Sequence, residues 1–253
     1  MYFAMAGTDR KRDTIRSKMF KPLGAKPVMT LRKLVKILKD ISDNQIQIVC
    51  LPPKVANRLQ DWKRKQFRYL VFDVDDMEGL AGQKWKNVRQ KVSRFERDNR
   101  SIRVESLSER NSGKVVHFIS KWRREALDTR GFSYAQVDKA RFAAKFYADR
   151  INRYHDQKKP DQKIWAYVYF VGGRVSAFQV LYRLGERSAA NPVGMADTHI
   201  YGLAEYSQVH AWTQAQLNGI KYINDGPSWR RSLEAYKRKF NPVGEQLVIE
   251  AYR

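Results

Sequence analysis

The stretch Gly219-Ile-Lys-Tyr-Ile-Asn-Asp-Gly226, continued by Pro227-Ser-Trp-Arg-Arg-Ser-Leu-Glu-Ala-Tyr-Lys-Arg-Lys-Phe-Asn-Pro242, reads as strand, sharp turn and helix. Ile220, Tyr222 and Ile223 favour a strand, Asn224-Asp225-Gly226 is turn chemistry, and Ser232 to Phe240 is rich in helix formers up to Asn241-Pro242. A site at the strand's carboxyl end would gather the Asp225 carboxylate, the Asn224 amide and the cations Arg230, Arg231, Lys237 and Lys239 around an anionic or ester-bearing substrate. The plainer alternative is an ordinary turn followed by a solvated basic helix.

Working outward, the preceding strand is expected at Met195 to Tyr201 and its helix at Leu203 to Asn218, with Gly219 as cap. Before them, Lys163-Ile-Trp-Ala-Tyr-Val-Tyr-Phe-Val171 and Arg174-Val-Ser-Ala-Phe-Gln-Val-Leu-Tyr182 flank Gly172-Gly173, the strongest hairpin signal in the chain. Amphipathic helices are expected at 113–127 and 134–155. The helix at 84–99 has Trp85, Val88, Val92 and Phe95 as its apolar stripe. Its other faces carry Lys84, Lys86, Arg89, Lys91, Arg94 and Arg97, and Arg141 and Lys145 lie on the helix at 134–155. Either basic face is a solvated surface or a phosphate-contacting one.

Residues 1–75 read as a small α/β segment: a helix at 31–41, a strand at 45–51, a break at Pro52-Pro53, a helix at 55–65 and a strand at 68–72. The acids of Asp73-Val-Asp-Asp76 fit a helix entry better than a metal site, since no histidine or further carboxylate stands at ligand spacing. Residues 76–253 form the second domain.

The 253 residues carry 49 Lys and Arg against 26 Asp and Glu, a net charge of +23. That imbalance predicts a polyanionic partner, nucleic acid first and an anionic membrane surface second. A single cysteine, Cys50, excludes an intramolecular disulfide and fits a cytoplasmic setting. No run approaches the 18 or so apolar residues of a membrane span.

With these residues in place, the chain resembles the soluble transferase domain of the phosphatidylglycerol lysyltransferases, a GNAT-like family related to the Fem aminoacyl transferases. The likeness rests on the 82–96 helix ending in Arg94-Phe95, on Gly173-Arg-Val-Ser-Ala-Phe178 followed by Asp197, and on Tyr222 to Gly226 with Tyr236-Lys-Arg-Lys-Phe-Asn-Pro242. It implies an α+β GNAT-like fold, a mostly antiparallel mixed sheet flanked by helices, with residues 1–75 as a reduced first half of a tandem. It also implies transfer from aminoacyl-tRNA without a further cofactor; because the residues show no counterpart of the family's lipid-delivering part, the expected acceptor is a soluble amine, peptide or small molecule, not phosphatidylglycerol. Asp197 is the implied base or ammonium anchor, with His199, Asp225 and Asn224 beside it. The basic residues named above would bind the tRNA.

Two departures bear on substrate. Isoleucine stands at position 200, where the family has an arginine three residues after the strand acid, and the lipid-delivering transmembrane part is not present in this sequence. Acyl-CoA use would need a Gln/Arg-x-x-Gly-x-Gly/Ala loop, and only Gly202 is available between Asp197 and Ala204. The alternatives are a non-catalytic RNA-binding protein on this fold, with Trp62, Trp85, Trp122, Trp165, Trp212 and Trp229 as stacking candidates, and an acyl-CoA N-acyltransferase with an atypical loop.

Overall fold

The computed structural model describes residues 4–9, 14–19, 47–51, 57, 63–130, 164–228 and 231–252. The chain forms two compact units. One comprises Met1–Tyr69 with Pro227–Arg231 and Glu245–Arg253, and the other Leu70–Gly226 with Ser232–Gly244.

In the first unit, β1 (Ala4–Asp9) pairs antiparallel with β2 (Thr14–Met19), and β2 runs parallel to β3 (Gln47–Leu51). The last strand of the chain, β10 (Gly244–Tyr252), lies antiparallel to β3, and β4 (Lys63–Asp73) follows it in strand order. An ion pair of 3.4 Å joins Arg68 to Glu245. Lys63-Arg-Lys65, expected at the end of a helix, belongs to β4 instead. Lys63, Arg64 and Arg68 are exposed, so backbone pairing holds this part of the strand while its charges stay in water. The helix expected at 31–41 falls outside the described residues, as does that at 134–155.

The second unit takes the end of β4 and orders it with β9 (Tyr222–Pro227), β8 (Ser188–Ala196), β7 (Arg174–Arg183), β6 (Ile164–Val171) and β5 (Ile102–Ser106). The sheet is mixed: β5 to β8 pair antiparallel, and β8 and β9 are parallel neighbours through Ser188↔Tyr222 to Ala190↔Asn224. The hairpin turn is where the sequence places it, and both Gly172 and Gly173 have positive φ, 55° and 77°. A side chain at either position would be strained.

Strand alternation assigns the two faces. Phe178 and Val180 of β7, with Ala166, Val168 and Phe170 of β6, pack on Val115, Phe118 and Ile119 of α2 (Glu109–Arg130). On the other face, Tyr169, Ala177 and Leu181 meet α1 (Lys86–Asp98) and α3 (Leu203–Leu217) through Phe95, Leu203, Ala211 and Trp212. Trp212 also contacts Phe72 and Phe240, with ring centroids 4.7 and 5.4 Å apart.

Helix α3 presents polar groups to this face as well. Asn191 Oδ1 accepts from Gln208 Nε2 at 2.7 Å and Trp212 Nε1 at 3.0 Å, while its amide donates to the Val180 and Val193 carbonyls. Asn191 thereby satisfies carbonyls beside the register shift between β7 and β8, where ladder pairing is interrupted.

Candidate functional site

Two polar centres lie at the carboxyl ends of the parallel strands β8 and β9. The first follows β8. That strand ends at Ala196, so Asp197 and His199 lie in a turn, not within a strand extending to Tyr201 as expected. Aspartate chemistry competes with the ladder here: Asp197 Oδ1 accepts the His199 backbone N–H at 3.0 Å, and Asp197 N donates to the Ser176 carbonyl at 2.7 Å. Asp197 and His199, two residues apart, therefore do not share a strand face. Asp197 is half-buried, whereas His199 is exposed, with Nε2 3.9 Å from Glu125 Oε2 of α2.

The turn continues through Tyr201, which is 52% exposed. The Arg94 guanidinium lies 4.6 Å from the centre of its ring and Lys91 Nζ 5.8 Å. Gly202 then opens α3 with φ 77°. A Cβ on Gly202 would come within 2.4 Å of the Lys91 carbonyl oxygen, so glycine is what lets α3 start this close to α1.

The second centre is built on α1, α3, β9 and α4 (Arg231–Arg238). Glu205, in the first turn of α3, accepts from Lys91 Nζ at 2.8 Å and lies 3.4 Å from Lys239 Nζ, just past α4. Its side chain is 6% exposed. Burial works to raise the Glu205 carboxyl, but the hydrogen bond and charge of Lys91, aided by its own amide and by Lys239, hold it below its ordinary value. Burial and the competing Lys91 lower Lys239, while Glu205 outweighs burial and raises Lys91. Lys239 also lies 5.1 Å from the Tyr236 ring. Burial, with Glu205 and Asp225 nearby, pushes the Tyr236 phenol well above its ordinary value.

Asn224-Asp225-Gly226, expected as a turn, lies inside β9. The local chemistry is still turn-like: Asn224 Oδ1 accepts the Gly226 N–H at 2.9 Å, and Gly226 has φ 67°. Neighbouring strands carry it nonetheless. Asp225 is nearly buried and pairs with Lys237 at 3.3 Å, and Lys237 also donates to the Asp225 and Gly226 carbonyls. These three acceptors match the three protons of an ammonium, so Lys237 ties α4 to β9 and is not a surface cation. Burial raises the Asp225 carboxyl against the pull of Lys237.

The register separates the two strand-end aspartates. Ala190 pairs with Asn224, so Asp197 stands seven residues beyond the paired level and Asp225 only one. At about 3.3 Å per residue that offset approaches roughly 20 Å for a straight strand, so the two acids belong to different centres.

The remaining expected cations divide by use. Lys84 pairs with Asp76 at 2.5 Å, and Arg94 with Asp98 at 3.3 Å. Arg89 donates to the Leu80 and Gly82 carbonyls and closes the loop before α1. Lys86 and Arg231 are exposed. Arg230, Arg141 and Lys145 lie outside the described residues. Trp85 and Trp212 are buried core, and Trp122 and Trp165 are half-buried. Among the described residues, no three His, Cys, Asp or Glu side chains are grouped to hold a metal, and no helix is long and apolar enough to cross a membrane.

Sequence reading missed Glu205 and Tyr201. A lone acid among Leu203, Ser207, Ala211 and Trp212 on the buried side of a helix was the available signal for Glu205. Nothing local marks Tyr201, whose cations come from α1.

Residues 8–247 match the family described as phosphatidylglycerol lysyltransferase, C-terminal. The chain belongs to this family. No curated protein matches it by sequence. Similar solved structures include a conserved protein of unknown function from Bacteroides thetaiotaomicron, at 13% identity and TM-score 0.65 over 95% of this chain and 79% of that one. L-PGS from Bacillus licheniformis is similar at 13% identity and TM-score 0.59, over 94% and 77% of the two chains. A tandem GNAT protein from the clavulanic acid biosynthesis pathway has 7% identity and TM-score 0.55, over 94% and 74%. The α+β, GNAT-like fold expected from sequence is the fold of the family member described here.

Proposed function

We propose that this protein transfers an aminoacyl group from aminoacyl-tRNA to a soluble amine-bearing acceptor, with Asp197 as the reacting carboxylate. The observation that carries this reading is the filled amino terminus of α3 in a member of this family. An acyl-CoA diphosphate would need free backbone N–H groups there. In this chain the Glu205 carboxylate stands in the first turn of α3, paired with Lys91 at 2.8 Å, Gly202 is packed on the Lys91 carbonyl, and Leu203 is fully buried. A second anion at that point would meet a carboxylate. An aminoacyl ester carries its activation in the ester and needs no diphosphate cradle.

In the reaction, the acceptor nitrogen attacks the ester carbonyl, the N–C bond forms, and the C–O bond to the tRNA ribose breaks. The proton leaving the amine passes to Asp197 and from there to the ribose oxygen. Asp197 suits this role because its carboxylate is only half-buried and is held in place by the His199 N–H, whereas Asp225 is committed to Lys237. The net charge of +23 supplies attraction for the RNA.

Incubation with a labelled pool of charged tRNAs and a panel of amines tests the reading. Amide product that disappears when the tRNA is digested beforehand is the expected result, and binding should weaken by orders of magnitude between about 50 and 200 mM salt. Binding without transfer would favour a non-catalytic RNA-binding protein, and transfer from acyl-CoA alone would refute the donor assignment.

A further inference from the structure

We infer that Tyr201, with Arg94 and Lys91, forms a stacking subsite for an adenine nucleotide. The inference rests on the proposed reading for its RNA source, since every charged tRNA ends in adenosine. The observations that carry it are geometric. Tyr201 is one of the few large apolar or aromatic side chains of the described residues left open to solvent, at 52% exposure. It stands in the turn after the candidate base, four residues beyond Asp197, and that turn is fixed at one end by the Asp197 to His199 hydrogen bond and at the other by Gly202 against α1.

Two cations flank the ring. The Arg94 guanidinium lies 4.6 Å from the ring centre, and its ion pair with Asp98 is exposed on both sides, so it can be exchanged for a phosphate at little cost. Lys91 lies 5.8 Å from the ring and shares the single carboxylate of Glu205 with Lys239, which leaves this corner with more positive charge than its acid neutralises. A solvent-exposed aromatic ring with surplus cations against it is the combination that receives a base and its phosphate together.

The adenine nucleotide of CoA has the same chemistry as the RNA terminus, so the experiment separates the two sources. A tRNA acceptor-stem minihelix is made with 2-aminopurine in place of the terminal adenosine and a fluorescein at its 5′ end. Binding to the full-length protein is read by fluorescein anisotropy and stacking by quenching of 2-aminopurine. Quenching with the wild type, retained in Tyr201→Phe and lost in Tyr201→Ala with a roughly ten- to hundred-fold weaker affinity, is the expected result. Melting temperatures of the two variants should match the wild type, because the side chain is exposed. Arg94→Ala should weaken binding and flatten its salt dependence while some quenching remains.

Uncharged tRNA should displace the probe and CoA should not. Displacement by CoA would keep the subsite but contradict its RNA source and the proposed donor. Bound minihelix with no quenching, or equal quenching in Tyr201→Ala, would overturn the subsite and leave the transfer reading standing. Failure of the wild type to bind the minihelix at all would overturn both.

Discussion

The carboxyl ends of β8 and β9 carry similar sequence, an apolar run leading into an aspartate with turn-forming neighbours, and the structure treats them in opposite ways. After β8 the ladder stops and Asp197 closes an open turn with its own backbone. In β9 the strand continues through Asp225, whose carboxylate is withdrawn from water and matched by Lys237, twelve residues further on. The difference comes from what packs on each end. α4 folds back and supplies the Lys237 ammonium to β9, while the cations of α1 reach the β8 turn only at Tyr201. One end is therefore left partly open to solvent, and the other holds elements together.

Substitutions should separate the two ends by the size of their effect on folding. The largest loss is expected at the buried ionic centre beside β9, where Glu205→Ala leaves Lys91 and Lys239 without their shared acid. Breaking such a pair costs about 3 to 5 kcal/mol, measurable by urea denaturation. A destabilisation below about 1 kcal/mol would mean that the two lysines simply turn to solvent.

The same centre predicts a pH dependence. The Glu205 carboxyl is held below its ordinary value in the folded protein, so its stabilisation is fully present above the ordinary carboxylate range and is lost as pH falls through the folded pKa. The stability gap between wild type and Glu205→Gln should then close in that acid range. A gap that stays constant down to pH 3 would show that the carboxylate is not what stabilises the centre.

Gly202→Ala should cost about 2 kcal/mol, since it adds left-handed backbone strain to a collision with the Lys91 carbonyl. A melting temperature equal to the wild type would show that α3 can move off α1. The smallest effect belongs to the β8 turn, where Asp197→Asn keeps an acceptor for the His199 N–H and should change stability by no more than about 0.5 kcal/mol. A larger loss would place Asp197 among the structural acids with Asp225.

How much of this was legible in the sequence follows from how local each cause is. The hairpin around Gly172-Gly173 and the stripe Trp85, Val88, Val92 and Phe95 are set by period and turn chemistry, and both lie where the sequence puts them. The strand expected at Met195 to Tyr201 shares only Met195 and Ala196 with β8, which begins at Ser188, because Ile200-Tyr201 favour a strand beyond an aspartate that breaks it. β2, Thr14-Ile-Arg-Ser-Lys-Met19, has no apolar run and is fixed by partners on both sides. β10 was not expected from the sequence, and its place beside β3 is set by a partner far back in the chain. At the candidate site, Asp197 and the basic residues stand out by type. The pairing of Lys91 with Glu205 spans 114 positions, and no local pattern announces it.

The central claim is that the open strand end performs tRNA-dependent transfer, and single-turnover transfer by wild type and Asp197→Asn tests it most directly. Each protein is mixed in excess with labelled aminoacyl-tRNA and an accepted amine, with tRNA affinity measured in parallel. The account predicts ribonuclease-sensitive amide formation by the wild type and a rate lower by roughly two or more orders of magnitude in Asp197→Asn, with affinity nearly unchanged. Transfer by Asp197→Asn at the wild-type rate, or wild-type transfer that survives destruction of the tRNA, would contradict it.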